Sequence, residues 1–307
     1  MPRTPKSLPA TWLALALTLG MASAQGPSVT TMSYDGYARE YYLHVPDGLN
    51  GGAPLVIVLH GRGGTGAGMA ALTGFDEVAD AYGFVVAYPS GISQQWNYVE
   101  GIEGYDLTVS DLDFLTALVG EIASTHPVDL KRVYVAGFSN GGFMAQRVAC
   151  AATGVFAAYA SVGAAGFGGQ PRICEDPGPA SLLFIHGTHD EVVPFQGMVQ
   201  QTPMGPVTVL ASVEQTMAFW SDKLSCGTVI DSVAMPRGGA SPETQVSVLR
   251  YMNCPAGHEL ILAVVLGGGH NWPGRAGLLP ANVAGNVNLD LDASEFIWQF
   301  FARHALP

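Results

Sequence analysis

Hydrophobic and polar positions along the chain fall into two patterns that take turns. Short runs such as "PLVIVLH", "FVVAYP", "RVYVAGF", "SLLFIHG" and "LILAVVLG" are almost continuously apolar and rich in β-branched residues, the pattern of strands buried on both faces. "REYYLHV" alternates instead, as a half-exposed strand does. Between the runs lie segments with helical spacing. Phe75, Val78, Ala79 and Tyr82 share one face of a helix predicted over Met69 to Tyr82. Ser110 with Asp113 resembles a capping box opening "DLDFLTALVGEIAST", which Pro127 closes, and further helices are predicted near Asn140 to Ala151, Ala211 to Leu224 and Asp292 to His304. Strands taking turns with helices predict an α/β fold: a mostly parallel central sheet with helices on both faces. The Gly- and Pro-rich stretches Gly163 to Pro179 and Met235 to Pro242 read as surface loops, and no repeat or low-complexity linker divides the chain, so one domain is expected over residues 25–307.

Composition changes this picture at the amino terminus. The chain has 307 residues, 48% hydrophobic and 12% charged, enough for a well-cored globular domain. Part of the apolar content sits in "WLALALTLGMASA", preceded by Arg3 and Lys6 and ending in the small residues Ala22, Ser23 and Ala24, which reads as a secretory signal peptide over residues 1–24. The apolar run is too short to span a bilayer, so a secreted protein, extracellular or periplasmic, is expected rather than a membrane protein. Cleavage there removes two basic residues and no acid, moving the formal charge from −12 to −14 and making nucleic acid an unsuitable partner. The cysteines Cys150, Cys174, Cys226 and Cys254 are even in number and form no CxxC pair, so two disulfides are expected, nearest neighbours joined because each pair closes a local excursion.

Residues just past the carboxyl ends of parallel strands converge in space. After "VAGF", "FIHG" and "VVLG" those residues are Ser139, Asp190 and His270. Ser139 stands in GxSxG as "GFSNG", between a strand and a helix, the context of a nucleophile elbow. A bare pentapeptide of this kind also describes a helix-capping serine in a glycine-rich turn. A serine hydroxyl needs a general base, and the base needs a partner that fixes its tautomer; both lie downstream in the order Ser, Asp, His. Glu191 adjoins Asp190 and is the alternative acid, whereas Asp222 sits within a helical pattern and reads as solvated surface. The histidines His44, His60, His126, His186 and His189 precede the acid, His258 begins a strand and His304 ends the last helix, which leaves His270 as base. The developing oxyanion would meet the backbone N–H of Asn140 and that of Arg62 in the loop "HGRGG". "GRGGTG" also satisfies GxGxxG, but the following strand ends in Ser90 and Gly91 without the acid a ribose needs, so nucleotide binding is not expected. No metal-ligand spacing is present, and no cofactor is expected.

With "LHGRGG", "YPSG" and the nearby "WN", "GFSNGGFMA", "IHGTHDEVVPF", Trp220 before Cys226, and "GGGHNWPG", the chain from about Tyr37 to Phe301 resembles the secreted polyhydroxybutyrate depolymerase-like esterases of the α/β-hydrolase fold, a group that includes feruloyl esterases. The resemblance implies a serine carboxylic ester hydrolase acting through an acyl-enzyme, with Ser139, Asp190 and His270 as its triad and the Arg62 and Asn140 amides as its oxyanion hole. It further implies that Trp96 and Trp272 line the acyl or alcohol pocket; core packing beside the site is the alternative for both. The expected partner is a small or oligomeric ester, with no protein partner evident. The absence of a linker and a polymer-binding domain after Phe301 departs from the polymer-degrading members and points toward soluble substrates. Two other functions compete: a serine peptidase, because "HGTHDEVVP" also resembles prolyl-peptidase sequences, and a secreted binding protein that kept the fold without catalysis.

Overall fold

The computed structural model describes residues 28–307 apart from 50, 100–108, 153, 169, 175–176, 204, 256, 276 and 278–279, so the expected signal peptide lies outside the described residues. The chain enters the sheet through an antiparallel hairpin, β1 (Ser28–Tyr34) and β2 (Tyr37–His44), turned at Asp35 and Gly36. Then β3 (Ala53–Leu59), α1 (Gly66–Thr73), α2 (Phe75–Tyr82) and β4 (Val85–Pro89) make the first crossover. A single 3-10 turn at Ile92–Gln94 precedes α3 (Asp111–Thr125), β5 (Val128–Phe138), α4 (Asn140–Ala151) and β6 (Ala158–Val162). The short α5 (Gln170–Ile173) leads to β7 (Leu182–Gly187), a separate hairpin of β8 (Met198–Thr202) and β9 (Gly205–Leu210), and α6 (Val213–Lys223). Strands β10 (Val229–Ala234), β11 (Gln245–Tyr251) and β12 (Leu260–Leu266), then α7 (Ala281–Ala284) and α8 (Ala293–Phe301), complete the chain.

Among the described residues the main sheet has 10 strands in the order β1-β2-β4-β3-β5-β6-β7-β12-β11-β10. From β4 to β12 every neighbouring pair is parallel, and antiparallel hairpins close both edges. This is the expected mostly parallel sheet in a single domain. Its central strands separate two cores by simple alternation: in β5, Val133 and Val135 face the core under α3, α4 and α6, while Tyr134 and Ala136 face the core under α1, α2 and α8.

Several differences from the sequence reading have local causes. Of the stretch Gly163 to Pro179, expected as a surface loop, residues 163–167 are buried because the backbone is bonded into the core: the Gly166 N–H donates to Thr216 Oγ1 of α6 at 2.6 Å and Gln146 Nε2 of α4 donates to the Ala165 carbonyl at 3.1 Å. The helix expected over Met69 to Tyr82 is broken at Gly74, which adopts φ 61°, ψ 27°, a left-handed conformation that ends α1 with its N–H on the Ala70 carbonyl and starts α2 in a new direction. Strand β6, "AYASV", was not anticipated, because alanine and serine carry little strand signal; it is buried throughout by its position between β5 and β7.

The cysteines pair as expected, Cys150 with Cys174 and Cys226 with Cys254. Deeper in the structure, Arg39 of β2 and Asp111, the first residue of α3, form a 2.6 Å ion pair with side chains 1% and 0% exposed. The guanidinium also lies 3.6 Å from the centroid of Phe114. Asp111 uses its other oxygen to accept the Asn97 N–H at 2.8 Å, so the pair anchors a sheet edge, a helix and the segment that carries Trp96.

A histidine followed by glycine comes directly after β3, as His60 and Gly61, and ends β7, as His186 and Gly187. His60 Nδ1 donates to the Gly61 carbonyl at 2.7 Å and His186 Nδ1 to the Gly187 carbonyl at 3.1 Å, each ring curling back over its own strand end. Both rings are buried, and burial lowers both pKa values below the ordinary histidine value.

Two measurements test these features. Removing one partner of a buried ion pair leaves an uncompensated charge, so Asp111→Ala should lower unfolding free energy by about 3–5 kcal/mol in urea titration; a loss below about 1 kcal/mol would contradict the assigned role. For His60 and His186 the unfolded chain takes up protons below about pH 6.5 that the folded protein resists, so stability should be full above that value and decline as pH falls below it. Urea midpoints at pH 7.5 and 5.5 should therefore differ in the wild type, and by less in a His186→Gln variant.

Candidate active site

At the carboxyl edge of the sheet, β5 passes into α4 through a sharp turn. Ser139 occupies φ 54°, ψ −117°, a strained conformation for a residue with a side chain. The flanking glycines make that turn fit: a methyl group on Gly137 would collide with the Gly141 carbonyl, and one on Gly141 with the carbonyls of Leu59 and His60 at the end of β3. The Ser139 N–H donates to the Val162 carbonyl at 2.8 Å, tying the turn to β6. Ser139 stands at the N-cap position of α4, yet its hydroxyl makes no capping hydrogen bond. The side chain is therefore not spent on the helix, as a plain capping serine's would be.

The loops after β7 and β12 bring the other two predicted residues together. His270 Nδ1 donates to Asp190 Oδ2 at 2.7 Å, and both side chains are almost completely buried. The second carboxylate oxygen, Oδ1, accepts the N–H groups of Val192 at 2.9 Å and Val193 at 2.7 Å, which fixes the plane of the carboxylate. Glu191, the alternative acid, is exposed, as is Asp222. The imidazole packs on Phe138, the residue before Ser139, with ring centroids 4.8 Å apart. A Cβ on Gly163, the residue after the Val162 carbonyl that holds Ser139, would lie 3.3 Å from the imidazole. Elbow, histidine and carboxylate thus share one small region at the ends of β5, β6, β7 and β12. With Nδ1 committed to the carboxylate, Nε2 is the ring nitrogen left to accept a proton.

The loop "HGRGG" runs beside the elbow, where a Cβ on Gly61 would lie 3.4 Å from Ser139 Cβ. The Gly63 N–H donates to the Gln94 carbonyl at 2.8 Å and the Gly64 N–H to the Gly61 carbonyl at 3.0 Å, so Arg62 sits in a loop held on both sides. Asn140 opens α4, where first-turn N–H groups have no partner within a helix.

The tryptophans take a different place from the one the resemblance implies. Trp96 is 2% exposed and donates through Nε1 to the His60 carbonyl at 2.9 Å; Trp272 is 1% exposed, donates to Ser294 Oγ at 3.0 Å and packs edge-on against Phe75 and Phe138. Both indoles are buried with their N–H groups satisfied, which favours core packing beside the site, the alternative reading of the two. Nearer the elbow lies a separate apolar cluster of Val99, Phe143, Ala164, Phe167 and Val193, with Tyr98 packed on it. Tyr98 and Phe143 stack with centroids 4.9 Å apart, and Tyr98 meets Phe167 edge-on at 5.1 Å. Phe143 follows Ser139 by one helical turn, Ala164 adjoins Gly163, and Val193 donates to Asp190, so the cluster touches the surroundings of all three predicted residues. The sequence signal for it is weak: "GGF" and "AAGF" carry isolated aromatics without periodicity. A cavity of about 320 Å³ lined by Pro179, Lys223, Leu224 and His258 lies at the opposite edge, where the chain enters β7 and β12.

Residues 39–172 match the family model described as Esterase PHB depolymerase. "Putative esterase NocK" of Nocardia uniformis subsp. tsuyamanensis is 34% identical over 253 residues, covering 78% of this chain and 72% of that protein. Feruloyl esterase B of Piromyces equi is 28% identical over 243 residues, covering 76% of this chain and 42% of that one. Among solved structures, the acetyl xylan esterase from Aspergillus awamori superposes with a TM-score of 0.57 at 16% identity, covering 80% of this chain and 94% of that chain, a likeness of fold. The family match, the identity across most of both chains and the shared architecture together make this chain a member of the esterase PHB depolymerase family, a carboxylic ester hydrolase of the α/β-hydrolase fold.

Proposed function

We propose that the protein is an exported serine esterase in which Ser139, His270 and Asp190 act as a triad through an acyl-enzyme. The observation that carries this reading is the 2.7 Å bond between His270 Nδ1 and a doubly anchored Asp190, beside a serine held in a strained turn with its hydroxyl uncommitted to the helix. His270 Nε2 takes the Ser139 proton as Oγ attacks the ester carbonyl. The imidazolium so formed is stabilised by the Asp190 carboxylate, and the oxyanion is received by the Asn140 and Arg62 N–H groups. Collapse expels the alcohol, protonated by His270. Water then attacks the acyl group by the same route and regenerates the serine.

Tyr98, half-buried and backed by the buried rings of Phe143 and Phe167, suits an ester with a flat, uncharged apolar part, and the acidic charge of the exported chain, −14, disfavours anionic substrates. Of hydroxycinnamoyl, hydroxyalkanoate and acetyl esters, the half-buried Tyr98 ring beside the triad favours the hydroxycinnamoyl class, in keeping with the relationship to a feruloyl esterase. Export is supported by the signal-like amino terminus and by two disulfides, which persist outside reducing compartments.

Ser139→Ala and His270→Ala should each lower kcat by about 10⁴- to 10⁶-fold, and Asp190→Asn by about 10⁴-fold, while Glu191→Gln stays within about twofold of wild type. A crippled Glu191→Gln with a mild Asp190→Asn would reverse the assignment of the acid. On substrates, kcat/KM for methyl ferulate should exceed that for acetylated xylan and for the soluble 3-hydroxybutyrate trimer; the opposite order would remove the aromatic-acyl reading and leave the triad standing.

A further inference from the structure

We infer that the side chains of His60 and Asn140 are positioning residues that lock the oxyanion-binding amides through a single hydrogen-bonded circuit closed by Trp96, a role that rests on the serine-esterase reading above. The circuit begins on the nucleophile's own neighbour. Asn140 is 6% exposed, and its amide turns away from α4: Oδ1 accepts the Trp96 N–H at 2.6 Å and Nδ2 donates to the Trp96 carbonyl at 3.4 Å. Trp96 then donates through Nε1 to the His60 carbonyl at 2.9 Å. His60 closes on the oxyanion loop, because its Nε2 accepts the Gly91 N–H at 2.9 Å while its Nδ1 reaches the Gly61 carbonyl at 2.7 Å.

The Gly91 bond decides the protonation state. An imidazole nitrogen that accepts from an amide carries no proton, so the proton of neutral His60 is on Nδ1 and is donated to Gly61. That bond sets the orientation of the next peptide group. Across a trans peptide the carbonyl of one residue and the N–H of the next point in opposite directions. With the Gly61 carbonyl held by His60 Nδ1 and by the Gly64 N–H at 3.0 Å, the Arg62 N–H must project from the far side of the peptide, away from the ring. The same circuit ends on Asn140, whose own N–H is the other proposed donor. Both donors are thereby oriented before substrate arrives, which is the condition under which such dipoles act at full strength.

A purely structural role would be satisfied by any substitution that preserves folding. A positioning role requires particular bonds, and the bonds can be separated. In His60→Asn the side-chain amide can replace Nδ1 toward Gly61 but cannot reach Gly91; in His60→Gln it can reach Gly91 but is misplaced for Gly61. Trp96→Phe removes only the bond to the His60 carbonyl and keeps the ring, and Asn140→Ala removes both bonds to Trp96 while keeping the backbone N–H.

The experiment measures kcat and KM on a soluble nitrophenyl ester together with the inhibition constant of benzeneboronic acid, whose tetrahedral adduct places an oxygen where the oxyanion forms. Asn140→Ala and His60→Gln should each lower kcat by about 10- to 100-fold with KM within about threefold, and weaken benzeneboronic acid by a similar factor. His60→Asn should retain several-fold more activity than His60→Gln, and Trp96→Phe should lower kcat without raising KM. Equal losses for the two His60 variants, an unchanged boronate constant alongside a fallen kcat, or a wild-type Asn140→Ala would each overturn the inference. Should the His60 variants fail to fold, Asn140→Ala and Trp96→Phe decide it alone. A Ser139→Ala control separates the two levels: activity without Ser139 overturns the serine-esterase reading itself, whereas an inactive Ser139→Ala beside a wild-type Asn140→Ala overturns only the circuit.

Discussion

Much of this structure follows from one costly conformation, the backbone of Ser139 at φ 54°, ψ −117°. A non-glycine residue there is strained by roughly 1–3 kcal/mol and persists only when its surroundings over-determine it. The surroundings are the two strands beside β5 in the sheet. On one side, Gly141 lies so close to the last carbonyls of β3 that no side chain fits, and on the other the Ser139 N–H is taken by the last carbonyl of β6. Strand order, glycine placement and the start of α4 are therefore parts of one constraint. A sheet with β5 at its edge could not supply it.

Support for the edge where the chemistry gathers is unusually polar for a buried region. Arg39 and Asp111 pin the Asn97 backbone, Trp96 next to it bonds to both Asn140 and His60, and the carboxylate of Asp190 is held by two amides as well as by the imidazole. Polar networks of this kind are costly when incomplete and rigid when satisfied. The aliphatic cores above and below the sheet carry the bulk of the burial, while these directional bonds determine where a few atoms sit.

The central sheet was legible in the sequence because strand segments buried on both faces must be apolar, and β3, β4, β12, residues 133–138 of β5 and residues 182–185 of β7 are. Residues following those strands could be named in advance for the same reason, since topology alone assembles strand ends. Less was legible where side-chain identity did not match local duty. Alanine-rich β6 gave no strand signal, and Gly74 within a helical period gave no sign that it would turn left-handed. For Trp96 and Trp272 the sequence leaves two readings open, the pocket wall that the resemblance implies and core packing, and the burial with satisfied indoles that favours the second follows from three-dimensional packing that spacing does not encode. His60 was set aside by its place in the chain order, although its duty depends on Gly91, which is 31 residues away. The match of "GRGGTG" to a nucleotide-binding fingerprint has a similarly plain cause, because Gly66 is pressed against the Tyr88 carbonyl at the end of β4.

The pairing of the four cysteines has a consequence for biogenesis. Because Cys150 joins Cys174 and Cys226 joins Cys254, the order of pairing is the order in which the thiols leave the ribosome. In a chain that enters an oxidising compartment amino terminus first, the first pair of thiols arrives before the second and can close with no competing thiol present. Correct connectivity is then reached by simple oxidation. Reshuffling of mispaired bridges, which takes seconds to hours without catalysis, is a step this chain can do without. Refolding from the fully reduced state offers all three pairings at once and loses that advantage.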